Sequence, residues 1–223
     1  MSKPILSANN LTKSYSALKV LKGVDLEVNR KEILSIVGAS GAGKSTLLHI
    51  LGTLDVPEGG NLSIDDTIIT DLSSQKLASF RNERLGFVFQ FHNLLTEFSA
   101  VENVCLPGFI GGKPEKQVRA RALELLKILG LGKRALHKPS ELSGGEQQRV
   151  AVARSLINDP AIIFADEPSG NLDSKNAEEL HKLFFKLRDD FDKTFVIVTH
   201  NPELAQMSDR KVEIADGVIL SSS

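Results

Sequence analysis

The chain has few of the residues that stabilise secreted or membrane-embedded proteins. Its 223 residues include one cysteine, one tyrosine and no tryptophan. Cys105 alone cannot form an internal disulfide, and the N-terminal stretch MSKPILSANNLTKSY lacks the apolar core of a signal peptide. No uninterrupted apolar run reaches the roughly 18 residues that cross a bilayer. These absences favour a cytosolic protein, for which any role at a membrane requires a partner subunit.

An excess of charge of one sign is also missing. The 27 Lys and Arg residues nearly balance the 28 Asp and Glu residues, and no long basic run occurs. This balance argues against nucleic acid as a partner, because nucleic-acid-binding proteins carry a basic surface. The length suits one α/β domain or a core with an added lobe, and it is too short for two full catalytic domains.

Short apolar runs alternate with helical patterns along the chain. The runs ILSIV at 33–37, AIIFA at 161–165 and TFVIVT at 194–199 are continuous, as expected of strands buried on both faces of a sheet. One helical pattern follows Lys44, and another begins at Lys175 with its apolar residues on one face. The alternation predicts a doubly wound α/β core with a parallel sheet.

Two regions differ from this core. Between residues 91 and 157 extended apolar runs disappear, and residues 115–129 place apolar side chains on one helical face, which predicts an inserted helical lobe. The N-terminal segments NLTKSY and GVDLEV, with GNLSIDDTII at 60–69, predict a small antiparallel β layer. We therefore expect a first core segment with the β layer at 1–90, a helical lobe at 91–157 and a second core segment at 158–223.

The motif GASGAGKS at 38–45 predicts a phosphate-binding loop. It fits the pattern G-x-x-x-x-G-K-[ST] and stands between a predicted strand and a predicted helix, which is the context that the pattern requires. Glycines let backbone N–H groups turn toward phosphate oxygens, the helix N-terminus adds positive dipole, and Lys44 reaches the outer phosphates. The alternative is a flexible loop that happens to contain glycine and lysine. The predicted nucleotide-binding residues of this loop are Gly38, Ala39, Ser40, Gly41, Ala42, Gly43, Lys44, Ser45 and Thr46.

A second motif, IIFADE at 162–167, ends a buried strand in two carboxylates. Ligands of open α/β sheets gather at this end of the strands. We expect Asp166 to hold Mg²⁺ through a water molecule and Glu167 to polarise the water that attacks the γ-phosphate, since phosphoryl transfer needs an oriented nucleophile and neutralised charge. The alternative is an acidic turn that caps the strand.

A third motif, LSGGEQQR at 142–149, places two glycines directly ahead of a predicted helix, but it contains no lysine. Chains build phosphate pockets from glycines and a helix N-terminus in this way. The sequence thus has two phosphate-handling loops and one complete site, which raises the question of whose phosphate the second loop contacts.

Together the motifs resemble the ATP-binding cassette (ABC) ATPases, the motor subunits of ABC transporters, over nearly the whole chain. Tyr15 corresponds to the aromatic residue that stacks on adenine, and Gln90 corresponds to the Q-loop. The segment LSGGE corresponds to the family signature, SGNLD at 169–173 to the D-loop, and His200 to the switch histidine. The signature is specific to this class, whereas a phosphate loop alone would leave kinases and GTPases open.

The resemblance implies a RecA-like P-loop NTPase core that hydrolyses ATP with Mg²⁺. The catalytic residues would be Lys44, Glu167 and His200, and His200 would donate to the γ-phosphate. Tyr15 would stack on adenine, although the single tyrosine could instead be a core or edge aromatic. Gln90 would sense Mg²⁺ at a hinge, although it could be a plain surface amide. The implied metal ligands are Ser45, Gln90 and Asp166.

In this family two cassettes pack head to tail, which answers the question of the second loop. The signature of one copy would close over the γ-phosphate that Lys44 of the other copy holds. The resemblance therefore implies a homodimer that forms on ATP. The nucleotide-binding residues added in this way are Ser143, Gly144, Gly145, Glu146 and Asp173.

The stretches FQFHNLLTEFSAVENV at 89–104 and FADEPSGNLDS are similar to the lipoprotein-releasing, LolD-type subfamily, with macrolide-exporter and cell-division cassettes as close relatives. This similarity implies integral membrane transporter subunits as partners and a peripheral position on the cytoplasmic side of the inner membrane. Four apolar residues in the first stretch are expected either in the core of the lobe or in a groove for a helix of the membrane subunit: Phe91, Leu94, Leu95 and Phe98.

Two positions depart from the family pattern. Lys31 precedes Glu32 where many cassettes have glycine, and Glu146 stands where many signatures have glutamine. Neither removes the phosphate-facing Ser143. Two other classes fit less well: a soluble cassette ATPase of DNA repair or translation would show a coiled-coil insert or a second cassette, and a P-loop kinase would leave LSGGE and His200 without roles.

Overall fold

A computed structural model describes residues 3–222 of the chain. Within this range the chain forms ten β-strands and seven α-helices. The strands are β1 (Leu6–Tyr15), β2 (Leu18–Val28), β3 (Ile33–Val37), β4 (Gly59–Ile64), β5 (Thr67–Ile68), β6 (Leu85–Phe89), β7 (Ile162–Asp166), β8 (Thr194–Val198), β9 (Arg210–Ala215) and β10 (Val218–Ser222). The helices are α1 (Lys44–Leu51), α2 (Ser74–Arg84), α3 (Ala100–Ile110), α4 (Glu115–Ile128), α5 (Gly144–Leu156), α6 (Ser174–Phe191) and α7 (Pro202–Met207).

The larger sheet contains six strands in the order β10-β9-β3-β8-β7-β6. Its strands pair in parallel from β9 to β6, and β10 joins the edge antiparallel to β9. Side chains of β7 alternate between two cores: Ile163 and Ala165 pack in one, and Ile162 and Phe164 pack in the other. Because helices and the second sheet bury both faces, the strands read as continuous apolar runs. The predicted α/β core with a parallel sheet is therefore confirmed.

The smaller sheet is antiparallel, with the order β2-β1-β4-β5. Its buried residues Leu6, Leu11 and Leu21 pack in the same core as the apolar side of α1. This sheet is the β layer that the sequence predicts. It places Tyr15, the last residue of β1, beside the phosphate loop, where both line one cleft.

The helices α3, α4 and α5 lie between β6 and β7 in the chain and pack on one another. A capping box starts α3: the Ser99 hydroxyl accepts from the Glu102 N–H, and the Glu102 carboxylate accepts from the Ser99 N–H. The apolar face predicted for α4 is buried, and α5 packs on both α3 and β6. The signature at the start of α5 is thereby attached to the edge of the parallel sheet.

Lys31, which departs from the family pattern, lies in a tight turn before β3. Its φ is 60°, in the left-handed region, which costs a residue with a Cβ atom about 1–2 kcal/mol. The turn still closes, because the Lys31 N–H donates to the Thr194 hydroxyl at 2.9 Å. Glu32 next to it remains buried and pairs with Arg210 at 2.6 Å. The lysine therefore affects the turn and leaves the start of β3 intact.

Candidate active site

The phosphate loop connects the end of β3 to the start of α1. Its glycines Gly38, Gly41 and Gly43 have φ of 151°, 78° and 101°, which residues with side chains rarely adopt. The Lys44 ammonium donates to the carbonyl oxygens of Gly38 and Ala39, both at 2.9 Å. Within residues 3–222 no side chain caps the N-terminus of α1. The first N–H groups of this helix are therefore available to an anion.

Ser45 and Asp166 meet where α1 faces the end of β7. The Ser45 hydroxyl donates to Asp166 Oδ1 at 3.4 Å, and His49 Nε2 lies 3.9 Å from Asp166 Oδ2. Burial raises the pKa of the Asp166 carboxyl, while the Ser45 hydroxyl acts in the opposite direction. Hydroxyl and carboxylate oxygens are ligands that Mg²⁺ prefers, and a cation would offset the burial of the carboxylate. The two residues therefore fit Mg²⁺, and His49 is a neighbour that the sequence did not reveal.

Glu167 directly follows β7 and has a φ of 46°. Left-handed backbone costs a residue with a side chain about 1–3 kcal/mol, and it persists where neighbours enforce it, often at functional sites. Here the Glu167 N–H donates to the Val198 carbonyl at 2.9 Å. Glu167 Oε1 lies 2.7 Å from His200 Nδ1, and Oε2 accepts from the His200 N–H at 3.2 Å. Two predicted catalytic residues are thus paired at the ends of neighbouring strands.

A cleft of about 390 Å³ brings together seven of the sixteen predicted nucleotide-binding residues. Its walls include Tyr15, most of the phosphate loop and Glu167. The Tyr15 residue is 48 % exposed, so part of it is open to a ligand. Beside it, a cleft of about 550 Å³ includes Gly38 and His200. The Glu167–His200 pair therefore joins the two clefts.

The side chain of Gln90 contacts the D-loop. Its amide N–H donates to Asn171 Oδ1 at 3.0 Å, and the Asn171 amide donates back to the Gln90 carbonyl at 3.2 Å. In the described part of the chain, the Gln90 amide has no hydrogen bond to Ser45 or Asp166, so the structure brings together two of the three predicted metal ligands. Sequence reasoning missed Asn171, although its place inside SGNLD marks it as part of a functional loop.

The second glycine loop lies outside the 390 Å³ cleft. Ser143 is the N-cap of α5, and its hydroxyl accepts from the Glu146 N–H at 3.2 Å. Glu146 accepts from the Ser143 N–H at 2.8 Å and from Arg134 at 3.0 Å. Asp173 caps α6 by accepting from the Asn176 N–H at 2.9 Å. Within residues 3–222, the walls of the cleft include neither the signature residues nor Asp173.

Gln148 links three predicted functional segments and was missed from the sequence. It is 0 % exposed, and its amide N–H groups donate to the Phe89 carbonyl at 3.2 Å and to the Pro168 carbonyl at 2.6 Å. One carbonyl precedes the Q-loop and the other precedes the D-loop, while Gln148 belongs to the signature helix. A signal was present, because Gln148 lies at helical spacing from the buried Ala151 and Val152.

An apolar surface surrounds the segment that follows Gln90. Of its four apolar residues, Leu94 packs against the core, whereas Phe91 is 69 % exposed and Leu95 and Phe98 are also exposed. Of the two alternatives, burial in the lobe core therefore holds for Leu94 but not for Phe91, Leu95 and Phe98. The Arg154 guanidinium stabilises the segment, because it donates to the backbone carbonyls of His92 and Asn93 at 2.8 and 2.7 Å. A groove of about 450 Å³ lies nearby, lined by Leu54, Phe87, Phe89, Pro107, Ile110 and Arg154 among others.

Comparisons with known proteins agree with this arrangement. Residues 21–170 match the family model described as ABC transporter. The chain is 61 % identical to the lipoprotein-releasing system ATP-binding protein LolD of Cytophaga hutchinsonii over 97 % of this chain and 99 % of the relative, and 57 % identical to LolD of Bacteroides thetaiotaomicron over 96 % and 99 %.

A solved structure agrees as well. It is the dimeric structure of a post-hydrolysis state of an ATP-binding cassette bound to ADP and Pi, with a TM-score of 0.88 and 41 % identity over 98 % of this chain and 97 % of that chain. The predicted fold class and family resemblance are therefore confirmed. The chain belongs to the ABC transporter family, in the LolD subfamily of its ATP-binding proteins.

Proposed function

We propose that this chain is the Mg²⁺-dependent ATPase that powers release of lipoproteins by a membrane transporter. The observation that carries the proposal is the cleft in which Tyr15, the phosphate loop and Glu167 meet, within a chain of which 97 % aligns with a lipoprotein-releasing ATP-binding protein. The full translocase cycle, the cofactor and the site residues are parts of this proposal.

In the proposed ATP complex, adenine stacks on the half-exposed Tyr15 ring and the phosphates take the N–H groups of the loop. Lys44 exchanges its two carbonyl acceptors for phosphate oxygens. Ser45 and, through a water molecule, Asp166 would hold Mg²⁺, and Gln90 would be a third ligand. The metal supplies charge neutralisation on the outer phosphates.

Glu167 and His200 are proposed to act on the attacking water and the γ-phosphate. Their pairing at 2.7 Å keeps the carboxylate of Glu167 at the end of β7, beside the phosphate loop. A carboxylate in hydrogen-bond reach of the water would orient it and accept its proton, and His200 would donate to a γ-phosphate oxygen.

We further propose that the complete chamber needs a second copy of this chain. The signature residues Ser143, Gly144, Gly145 and Glu146, with Asp173, would come from that copy. Their position outside the cleft of the described chain supports this arrangement, and the similar ATP-binding cassette bound to ADP and Pi is a dimer.

The membrane partner is proposed to dock on the apolar groove near Phe91 and Ile110. Ile110 is 77 % exposed at the rim of the 450 Å³ groove, as expected of a surface that receives an apolar helix. None of the helices within residues 3–222 has the length and apolarity to cross a bilayer. We propose a peripheral position on the cytoplasmic side of the inner membrane, where integral transporter subunits hold the protein.

The division of the chain into core and lobe also stays a proposal. We assign residues 1–90 and 158–223 to the ATP-binding core and residues 91–157 to the helical lobe. Residues 1, 2 and 223 at the ends of these ranges lie outside the described residues. The packing of α3 on α4 and α5 supports the lobe, and the contact of α5 with β6 marks its junction with the core.

The first test separates binding from hydrolysis. Glu167→Gln should retain ATP binding and form a stable dimer on ATP. It should lose about 10²-fold or more of the hydrolysis rate, because an amide cannot accept the proton of the attacking water. Lys44→Ala should instead weaken ATP binding and remain monomeric. Size-exclusion chromatography with ATP and a phosphate-release assay measure both. A Glu167→Gln variant that stays monomeric at saturating ATP and hydrolyses normally contradicts the role of Glu167.

The second test addresses the membrane partner. Tagged protein purified from native membranes should bring an integral membrane subunit with it, and Ile110→Asp should reduce that recovery about tenfold because it places a charge in an apolar contact. The matched control is Leu136→Asp, which places the same charge on an equally exposed apolar residue that does not line the groove. It should not change recovery. If the wild-type protein recovers no membrane subunit, the transport function is contradicted and a soluble ATPase is favoured.

A further inference from the structure

A closed cluster of three side chains lies beside the nucleotide cleft. Lys13 and Tyr15 are two residues apart on β1 and therefore point to the same side of the sheet. Both donate to one carboxylate: the Tyr15 hydroxyl to Asp55 Oδ2 at 2.5 Å, and the Lys13 ammonium to Asp55 Oδ1 at 2.7 Å. The Lys13 ammonium also lies over the Tyr15 ring, 5.2 Å from its centroid. Asp55 thus joins two residues of the β layer.

Asp55 is itself held in place at the end of α1. Its backbone N–H donates to the carbonyl of His49 at 3.2 Å, and Oδ1 also accepts from the Val56 N–H at 2.7 Å. Lys13 reaches the Val56 carbonyl as well, at 2.8 Å. The residue that holds the Tyr15 hydroxyl is therefore tied by a backbone hydrogen bond to α1, the helix that begins in the phosphate loop, although it lies four residues past the end of that helix.

The charges of the cluster favour one protonation state. The hydrogen bond to Asp55 raises the pKa of the Tyr15 phenol, and burial adds to this effect. Burial alone would raise the pKa of Asp55, but the hydrogen bonds from Lys13 and Tyr15 lower it overall. The phenol therefore stays a hydrogen-bond donor and Asp55 stays an acceptor near neutral pH.

We propose that Asp55 is a positioning residue for the nucleotide base, which fixes the Tyr15 ring in the orientation that stacks on adenine. The inference rests on the proposed stacking role of Tyr15. A half-exposed aromatic side chain without an anchor samples several rotamers and loses that freedom when a ligand binds. An anchor that orders the ring beforehand removes this cost from binding, and it leaves the chemical step unchanged.

The composition of the chain allows the ionisation of the Tyr15 phenol to be measured directly. Tyr15 is the only tyrosine and no tryptophan is present, so ultraviolet absorbance follows the ionisation of one phenol. In nucleotide-free protein, Asp55→Asn should move the phenol pKa down toward its ordinary value. It should also raise the KM for ATP about threefold to tenfold, with kcat changed by less than about twofold, because an oriented hydrogen bond is lost away from the phosphates.

The matched control is Glu58→Gln. Glu58 is an exposed acidic neighbour whose charge also acts on Lys13, but it does not hold the Tyr15 hydroxyl. It should change neither the phenol titration nor the KM. An Asp55→Asn variant with a lowered phenol pKa and an unchanged KM overturns the proposal, because the anchor would then exist without positioning the base. An unchanged titration overturns it too.

Tyr15→Phe removes only the hydroxyl that donates to Asp55. It provides a second test of the same contact, which does not depend on the folding of Asp55→Asn. It should raise the KM as much as Asp55→Asn, and the double variant should add little, since both changes break one contact. A Tyr15→Phe variant with a wild-type KM overturns the anchor. Tyr15→Ala tests stacking separately: no rise in its KM refutes the stacking role, whereas the phenol titration still reports on the contact with Asp55.

Discussion

The helices α1 and α5 both begin at glycine-rich loops, but their N-termini are built differently. The N-cap of α1 is Gly43, and within residues 3–222 no side chain satisfies its first N–H groups. The N-cap of α5 is Ser143, which forms a complete capping box with Glu146. The first loop therefore leaves its N–H groups available to an anion, whereas the second satisfies the N–H groups of Ser143 and Glu146 with its own side chains.

The glycines of the two loops also serve different purposes. Gly38 and Gly43 have positive φ, so the conformation of the first loop requires glycine. Gly144 does not have a positive φ, and a Cβ atom there would meet its nearest neighbour, Leu172 Cδ2, at an ordinary 3.8 Å. The first loop therefore needs glycine in order to fold. In the second loop, a Cβ atom at Gly145 would meet Asn176 Oδ1 at 2.3 Å, whereas nothing in the described chain requires glycine at position 144.

The largest expected effect separates the two loops by folding stability. Gly38→Ala would force a Cβ atom onto the carbonyl oxygen of Ile214 and should lower the free energy of unfolding by more than about 3 kcal/mol. Gly144→Ala should change it by less than about 0.5 kcal/mol. Urea denaturation of both variants measures the difference.

Hydrolysis should nevertheless fall in the well-folded variant. Gly144→Ala is expected to lose about tenfold or more in ATPase rate, because a methyl group would crowd the γ-phosphate of the second copy. Equal losses of stability in the two variants would remove the distinction between the loops. A fully active Gly144→Ala variant would argue against close approach.

An intermediate effect tests the capping serine against its matched counterpart. Ser143→Ala and Ser99→Ala each remove the hydroxyl of a Ser–Glu capping box, so each should cost about 1 kcal/mol in the free energy of unfolding. Only Ser143→Ala should also weaken ATP-dependent dimerisation, about tenfold, if its hydroxyl contacts phosphate in the closed pair. Analytical ultracentrifugation with ATP compares them, and equal dimerisation would restrict Ser143 to a capping role.

The smallest expected effect concerns pH. Hydrogen bonds from Ser143, its backbone N–H above all, hold the pKa of Glu146 below its usual range. The lowered folded-state pKa means that the charged carboxylate stabilises the fold above the unfolded pKa of about 4.3, and that this contribution disappears as pH falls through the folded value.

Glu146→Gln should therefore lower the free energy of unfolding by about 0.5–1 kcal/mol at neutral pH and by progressively less in acid. Urea titrations at several pH values measure this. Glu102→Gln, in the capping box of α3, should show the same trend, since the pKa of Glu102 is lowered by Ser99 in the same way. A difference that does not depend on pH would mean that the charge of Glu146 is not what stabilises α5.

The sequence predicted what is encoded locally. The strand β7 reads as a continuous apolar run because both of its faces are buried, and α4 reads as a helix because its apolar residues recur at helical spacing. The phosphate loop was recognisable because its glycines are needed for backbone conformation at fixed spacing. These features depend on neighbours within a few residues.

Contacts between distant segments could not be read in the same way. Asp55 reaches Tyr15 across 40 positions, and Gln90 reaches Asn171 across 81. Such pairs leave no periodic trace, because the fold alone decides which surface residues face each other. The exposure of Phe91 was undecided for a similar reason, since an apolar side chain in a loop fits a core and a docking surface equally well.

The buried amide of Gln148 has a mechanical consequence. Both of its N–H groups are engaged by carbonyls of different loops, so neither loop can shift relative to α5 without exposing or abandoning a buried polar group, at a cost of about 1–3 kcal/mol. A force applied to α5 would thus reach the end of β6 at Phe89 and the segment after β7 at Pro168 together. Gln148 therefore couples the movement of three segments that are far apart in the chain.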